Sequence, residues 1–442
     1  MKLKTLVGVL AVAGLAMPGI ASATNGYFSH GYGMTAKGMG GASTAMAKDA
    51  MGGANNPASM AFVGDRLDVG IDWFSPKRSA SRAGSSDFGI GAQLDGNMNS
   101  SSNDFLVPEF GYNMMLGEKM SLGITVYGNG GMNTDYQPQT GAYQCSDGMG
   151  GVLPADNLLC GSGKLGVNLE QLIIAPTFAY KVNASNSIGV SPLFVYQRFS
   201  ADGLHAFAQL SNDGLAPSNK GHDSSTGWGV RLGWQGKITD SVTLGATYSP
   251  KIDMSNFKRY ANLFAEQGDF DIPMNWNLGV AFKATPALTV ALDYSHIDYE
   301  GVKSISNSGL TPGFAGPTSP LALGNSNGLG FGWTNVDVVK LGVEYKYNDA
   351  LTLRAGINHG DNPIKSGEQT FNIIAPGTVT DHYTLGATYG VTKDSEITVA
   401  YMHAQEKSVS GGPSIYFPTG AGTTETIKMY QNSLGIAYGV KF

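Results

Sequence analysis

The sequence predicts an all-β protein: a transmembrane antiparallel β-barrel of about fourteen strands, with an N-terminal hatch inside the lumen. Three observations carry this expectation. The final stretch, Ser433-Leu434-Gly435-Ile436-Ala437-Tyr438-Gly439-Val440-Lys441-Phe442, alternates without a break. It puts Leu434, Ile436, Tyr438, Val440 and Phe442 on one strand face and small or polar residues on the other. Charged residues are only 14% of the chain, against about 25% in soluble domains, yet no segment reaches the ~18 consecutive apolar residues of a membrane helix. Short and long connections also alternate between the strand-like segments, as the periplasmic turns and external loops of a membrane barrel do.

The elements follow in order. Residues 1–23 carry Lys2 and Lys4, an apolar run from Leu6 to Ala16, and a small-x-small end at Ala21-Ser22-Ala23. They read as a secretory signal peptide and are excluded from the fold. Residues 24–64 are rich in Gly, Ala, Met and Ser and show little periodicity. Disordered segments are usually charged and poor in apolar residues. This one is neither, so a plug inside the barrel is expected rather than a trailing arm.

Residues 65–442 are expected to form the barrel. Its strand segments are 66–74, 104–116, 121–128, 169–181, 187–199, 227–238, 242–252, 270–283, 288–299, 335–347, 351–358, 382–391, 396–405 and 427–442. Residues 117–120, 183–186, 239–241, 285–287, 348–350 and 392–395 are tight turns, and the intervening connections are long. This sorting places both ends of the barrel in the periplasm and the long loops outside the cell. Tyr112, Tyr180, Tyr248, Tyr294, Tyr345 and Tyr389 stand near strand ends, as interfacial aromatic girdles do.

The formal net charge of −6 argues against nucleic acid as a partner. Cys145 and Cys160 form the chain's one cysteine pair, and in an exported protein they read as a disulfide in an external loop. No metal and no cofactor are expected, because the histidines are scattered and form no ligand spacing. Gly31-x-Gly33-x-x-Ala36 has a dinucleotide-like spacing but lacks a preceding strand. Ser295-His296 cannot cooperate as a catalytic pair on a strand, since neighbours face opposite sides. The chain is therefore not expected to be an enzyme.

The terminal strand resembles that of bacterial outer-membrane barrels, whose last Phe is read by the barrel-assembly machinery. A wider resemblance rests on Gly38-Met39-Gly40-Gly41-Ala42, Asp49-Ala50 and Asn56-Pro57-Ala58 before the first strand. Later matches are Phe270-Asp271-Ile272-Pro273, Lys340-Leu341-Gly342-Val343-Glu344-Tyr345, Arg354-Ala355-Gly356 and Asn362-Pro363-Ile364. In this order they resemble the FadL/TodX family of outer-membrane transporters, across essentially the whole mature chain. The resemblance implies a fourteen-stranded barrel with an N-terminal hatch that includes Asp49, Asn56, Pro57 and Ala58. It also implies passive uptake of long-chain fatty acids or related hydrocarbons, with release through a lateral opening in the wall.

Three groups of residues are candidates for that work. Phe257, Tyr260, Ala261 and Phe264 recur at helical spacing within 256–266. They predict a helix that either captures ligand outside the cell or packs on its neighbours. In the third strand Gly128, Asn129, Gly130 and Gly131 interrupt a clean alternation. They mark either a kink, which the resemblance equates with the lateral opening, or the plain end of a strand. By alternation Glu109, Arg231, Asp293, Lys340, Glu344 and Arg354 point into the lumen. The cations Arg231, Lys340 and Arg354 either meet a ligand carboxylate or pair with the wall and hatch. The expected partners are a hydrophobic small molecule, outer-membrane lipid with lipopolysaccharide, and the barrel-assembly machinery, for a chain acting as a monomer. The rival reading is a water-filled porin for polar solutes, which would need no folded plug.

Overall fold

Alternation of lipid-facing apolar with inward polar or small residues lets one antiparallel sheet close on itself, so that no edge is left unpaired in lipid. The computed structural model describes residues 25–85, 91, 93–146, 151–310, 315–413 and 422–442. The expected signal peptide, 1–23, lies outside them. Among the described residues fourteen strands build the barrel. They are β1 (Arg66–Ala83), β2 (Phe105–Leu116), β3 (Met120–Asn133), β4 (Gly166–Lys181), β5 (Asn186–Asp202), β6 (Asp223–Lys237) and β7 (Val242–Ser249). The others are β8 (Asn275–Lys283), β9 (Leu288–Ile297), β10 (Val336–Lys346), β11 (Leu351–Gly360), β12 (Asp381–Gly390), β13 (Ser395–Gly411) and β14 (Thr424–Lys441). Each pairs with its neighbour in the chain, and β1 closes the barrel on β14 from Arg66↔Lys441 to Ala83↔Thr424.

The terminal alternation behaves as its pattern requires. Leu434, Ile436 and Tyr438 are about half exposed on the lipid side, while Ser433 and Ala437 are buried. Phe442 stacks on Tyr112 with ring centroids 5.9 Å apart. A short strand, Gly96–Asn99, folds back on the outer end of β1. A small hairpin of Tyr143–Ser146 and Val152–Ala155 stands in the connection after β3, and Cys145 is disulfide-bonded to Cys160 beside it.

Several strands run further outward than their hydropathy suggests. β1 continues to Ala83, although the apolar alternation fades after Phe74. Past that point the outward positions are Lys77, Ser79 and Ser81, so the ladder persists while the hydropathy contrast is lost. β8 starts later than expected, at Asn275, because Pro273 has no amide to donate to a ladder.

The hatch, residues 25–64, is threaded inside this wall and is almost wholly buried. It holds only short turns of helix, Met34–Lys37, Gly52–Asn55 and Pro57–Phe62; many of its amides bond within it, and others need partners in the wall. Wall carboxylates supply several. Ser43 and Thr44 N–H both donate to Asp293 Oδ2 at 2.8 Å, Ala50 N–H to Asp68 Oδ2 at 2.8 Å, and Gly33 N–H to Glu109 Oε2 at 3.2 Å. The buried Lys37 pairs with Asp72 at 2.6 Å. The family-like Asn56 caps the last turn through Ala58 N–H at 3.0 Å, with Pro57 at the first helical position. Its amide also donates to Thr44 O at 2.7 Å and Trp234 O at 2.9 Å. Such close approach needs glycine in the wall. A Cβ on Gly233 would lie 2.2 Å from Asn56 Oδ1, and one on Gly356 would lie 2.2 Å from the Met39 carbonyl carbon.

Because the β1–β14 closure does not involve the hatch, deletion of residues 25–55 is expected to leave a barrel with normal heat-modifiable gel mobility. In planar bilayers that barrel should conduct steadily, whereas the intact protein is expected to be nearly silent. Equal conductance would show that the hatch does not fill the lumen.

Candidate functional site

Gly128, Gly130 and Gly131 carry no side chain to hold their strand flat against its neighbours, and here β3 parts from β2. β3 pairs with β4 from Met120↔Tyr180 to Asn133↔Asn168, but the register shifts between Gly128 and Gly130, leaving Asn129 as the extra residue of a bulge. On its other side β3 pairs with β2 only as far as Phe110↔Val126. β2 itself stays paired to β1 out to Phe74↔Phe105. Residues 105–109 and 127–133 therefore face each other unpaired. Further out the chain closes again, with Ser101 N–H donating to Asp135 O at 2.8 Å and Ser100 bridging Tyr136. The result is a window in the wall, bounded at both ends.

The burial of β3 agrees. Tyr127 to Met132 are buried at every position instead of alternating, as expected if this half bends towards the lumen. The start of the hatch meets it there. Phe28 bridges Gly130, Ser29 N–H donates to Asn129 O at 3.2 Å, and Gly131 N–H donates to Tyr27 O at 3.3 Å. The Asn129 side chain accepts from Tyr32 Oη at 2.9 Å and donates to Gln171 Oε1 at 3.0 Å.

Two cavities lie in the lumen, the first of them behind the window. The first is mostly apolar and encloses about 360 Å³ of empty space, its open mouth included. Phe74 and Pro76 of β1, Met132 of β3, Met429 of β14 and Trp333 line it, and among the described residues Arg78 is its one charged lining residue. The second is polar, with about 530 Å³ of empty space, and lies between the hatch and β6, β8, β9 and β10. His30, Asn277, Ser295, Arg231 and Lys340 are among its lining residues.

All six inward charges read from the alternation are buried in the lumen, but their surroundings differ. Arg354 Nε pairs with Glu344 at 2.9 Å, and Lys48 of the hatch pairs with the same carboxylate at 2.7 Å, so Arg354 already has a carboxylate partner. Arg231 meets no carboxylate among the described residues. It donates to Ser249 Oγ at 3.0 Å, to the Ala54 carbonyl and to Tyr127 Oη at 3.3 Å. Lys340 stands opposite Asp293 in the ladder but makes no ion pair among the described residues. The polar cavity is therefore cationic on one side.

Residues 256–266 correct the expectation of an amphipathic helix. They form a three-residue helical turn, Lys258–Tyr260, followed by an irregular one, Ala265–Gly268, in which Glu266 and Gln267 have φ of 53° and 63°. Asn256 Nδ2 donates back to Glu266 O at 2.8 Å and closes the segment into a ring. Its aromatics do not face the outside. Phe257 and Tyr260 are 0% exposed and Phe264 2%. All three pack on Phe199, at 5.8, 4.8 and 4.7 Å between ring centroids, and Phe264 also meets Phe270 at 4.9 Å. Burying such rings is worth about 1.5–3 kcal/mol each, which a solvated helical face would forgo. The segment is an apolar ceiling over the lumen.

The chain can be placed among known proteins on this geometry. Residues 17–151 and 155–426 match the family described as outer membrane protein transport protein (OMPP1/FadL/TodX). The chain belongs to this family. It is thus an outer-membrane β-barrel of a transport family rather than an enzyme. The toluene transporter TodX of Pseudomonas putida has the same fold, with 19% identity, a TM-score of 0.65, and 93% of this chain and 99% of that one covered. A FadL homologue of Pseudomonas aeruginosa gives 16% identity and a TM-score of 0.67 over 94% and 100% of the two chains. The long-chain fatty acid transport protein of Escherichia coli is 32% identical over 77 residues, a match that spans 17% of its length and 17% of this chain.

The loop that carries the aromatic ceiling is built to respond to pH. Burial, and then the charge of Asp271, push the Asp269 carboxyl up to about 7. Asp271 is itself held by Lys251 Nζ at 2.6 Å and Met254 N–H at 2.7 Å. A carboxyl raised above its solvated value, about 4, imposes no penalty below that value and its full penalty above the raised one. Amide exchange across 256–270, corrected for intrinsic rates, is therefore expected to be slower at about pH 5.5 than at about pH 8. Asp269→Asn should abolish the difference; a difference that survives in the variant contradicts this assignment.

Proposed function

We propose that the chain is an outer-membrane transporter for passive uptake of hydrophobic compounds, long-chain fatty acids or related hydrocarbons. The observation that carries this reading is the window between β2 and β3, opening from lipid onto an apolar cavity. An apolar solute gains nothing from a water-filled path. It gains by moving from an apolar cavity straight into membrane hydrocarbon, which bypasses the polar outer surface. The names of relatives point the same way: long-chain fatty acid transport protein for the curated ones, and toluene transporter for TodX.

In this reading the ligand is captured at the external loops. It passes the ceiling of Phe257, Tyr260 and Phe264, which must part to admit it, and occupies the apolar cavity. It then leaves through the window beside Gly128, Asn129, Gly130 and Gly131. The hatch, held by Asp49, Asn56, Pro57 and Ala58, denies a straight aqueous route, which disfavours the water-filled porin. Arg231 and Lys340 offer a polar head a counter-charge in the second cavity. Arg354 makes no ligand contact, because Glu344 occupies it.

Deleting Asn129 removes the extra residue of the bulge and lets β3 continue its pairing with β2. Uptake of a radiolabelled long-chain fatty acid, by cells that lack any other transporter for it, is expected to fall several-fold. Heat-modifiable mobility should stay normal. Undiminished uptake by a correctly folded variant would reject release through the wall.

A further inference from the structure

One buried cation of the wall neither anchors the hatch nor meets a carboxylate. Arg78 is 7% exposed and turns inward from the outer part of β1, where it lines the apolar cavity behind the window. Its contacts among the described residues are neutral. Nη2 donates to the Ser102 carbonyl and, at 3.5 Å, to Ser100 Oγ, and the guanidinium stands 5.8 Å from the centroid of the Phe105 ring. Its Nε is buried with no hydrogen-bond partner among the described residues. Arg82, on the same face of the same strand, shows the usual arrangement: Nε meets Glu425 at 2.9 Å and Nη1 meets Leu158 O at 2.7 Å. A buried charge is costly unless something satisfies it, and Arg78 keeps donor capacity in reserve at an apolar site.

Its height in the wall gives that reserve a purpose. On the lipid side of β1, Val69, Ile71 and Trp73 are exposed and apolar, whereas the next outward positions beyond Ser75 are Lys77, Ser79 and Ser81. Arg78 thus lies where the wall passes from hydrocarbon to polar headgroups. Below it on the inner face are Pro76 and Phe74, then the window. A neutral hydrocarbon has no use for a cation there. An amphipathic acid entering the outer leaflet must end with its carboxylate at that height and its tail in the hydrocarbon beneath.

We propose that Arg78 is a head-group site for amphipathic monocarboxylic acids at the inner lip of the window. The carboxylate docks on Nε while the alkyl tail runs past Phe74, Met132 and Met429 towards the lipid. The site rests on the transport reading above and narrows its ligand class at the exit from hydrocarbons in general to acids.

Trp333 lines the same cavity and reports on it. The protein in lipid nanodiscs is titrated with ω-bromododecanoic acid, its methyl ester and bromododecane, whose bromine quenches tryptophan. A Trp333→Phe protein supplies the background from the other tryptophans. In Arg78→Met the acid should bind about tenfold more weakly or worse, with bromododecane unchanged and partial recovery in Arg78→Lys. On unmutated protein the ester should bind more weakly than the acid, a comparison that stands even if Arg78→Met fails to fold. Equal affinity of acid and ester, or equal weakening of acid and bromododecane in a folded Arg78→Met, overturns the site and leaves transport intact. Absence of Trp333 quenching by any of the probes removes the transport reading itself, and this proposal with it.

Discussion

A strand in lipid cannot leave its amides and carbonyls unpaired. The interior around the window depends on how that constraint is met where β2 and β3 part. The hatch meets it. Tyr27, Phe28 and Ser29 pair with Asn129, Gly130 and Gly131, so the bent half of β3 has a partner inside the lumen in place of the one it gave up in the wall. The plug therefore also holds the window. Its starting residues are fixed from outside the membrane: Tyr299 Oη donates to Asn25 O at 2.6 Å and accepts from Tyr27 N–H at 3.1 Å. The Tyr27 ring lies 5.3–6.3 Å from those of Phe28, Phe270, Tyr299 and Trp333. External loops, hatch and window thus share one aromatic cluster, so on the proposed reading a ligand parting the ceiling would disturb the residues that hold the wall open.

The charges divide along the same lines. Wall acids are committed to hatch amides or to Lys37 and Lys48, which fixes a segment too poor in regular structure to satisfy itself. The inward cations without an ion pair among the described residues, Arg78, Arg231 and Lys340, line the cavities, and Arg231 also donates to the Ala54 carbonyl of the hatch. On the proposed reading, these cations would suit ligands that carry a negative head on an apolar body.

Much of the barrel was legible because lipid enforces a period of two. Leu434, Ile436 and Tyr438 had to face out, and Arg231, Lys340 and Arg354 had to face in. Above the membrane the contrast disappears while the ladder continues. Residues 75–83 read as part of a long loop although they are strand, and the inward direction of Arg78 was hidden with them. The glycine run at 128–131 marked the break in β3. Nothing in the sequence indicated that the hatch would supply the missing partner, because isolated backbone bridges leave no residue signature. Spacing misled at Phe257, Tyr260 and Phe264. Positions i, i+3 and i+7 also suit a loop rolled inwards around its aromatics, and the left-handed turn at Glu266 and Gln267 could not be read from residues that usually avoid it.

The central claim is that the hatch holds the window by pairing with the bent half of β3. Residue-resolved amide hydrogen exchange in lipid nanodiscs tests it most directly, comparing the intact protein with one that lacks residues 25–29. The account predicts that the Gly131 amide, which is protected in the intact protein, exchanges freely in the truncated one while the amides of β10 to β14 keep their protection. Unchanged protection of Gly131 in a folded truncated protein would contradict it.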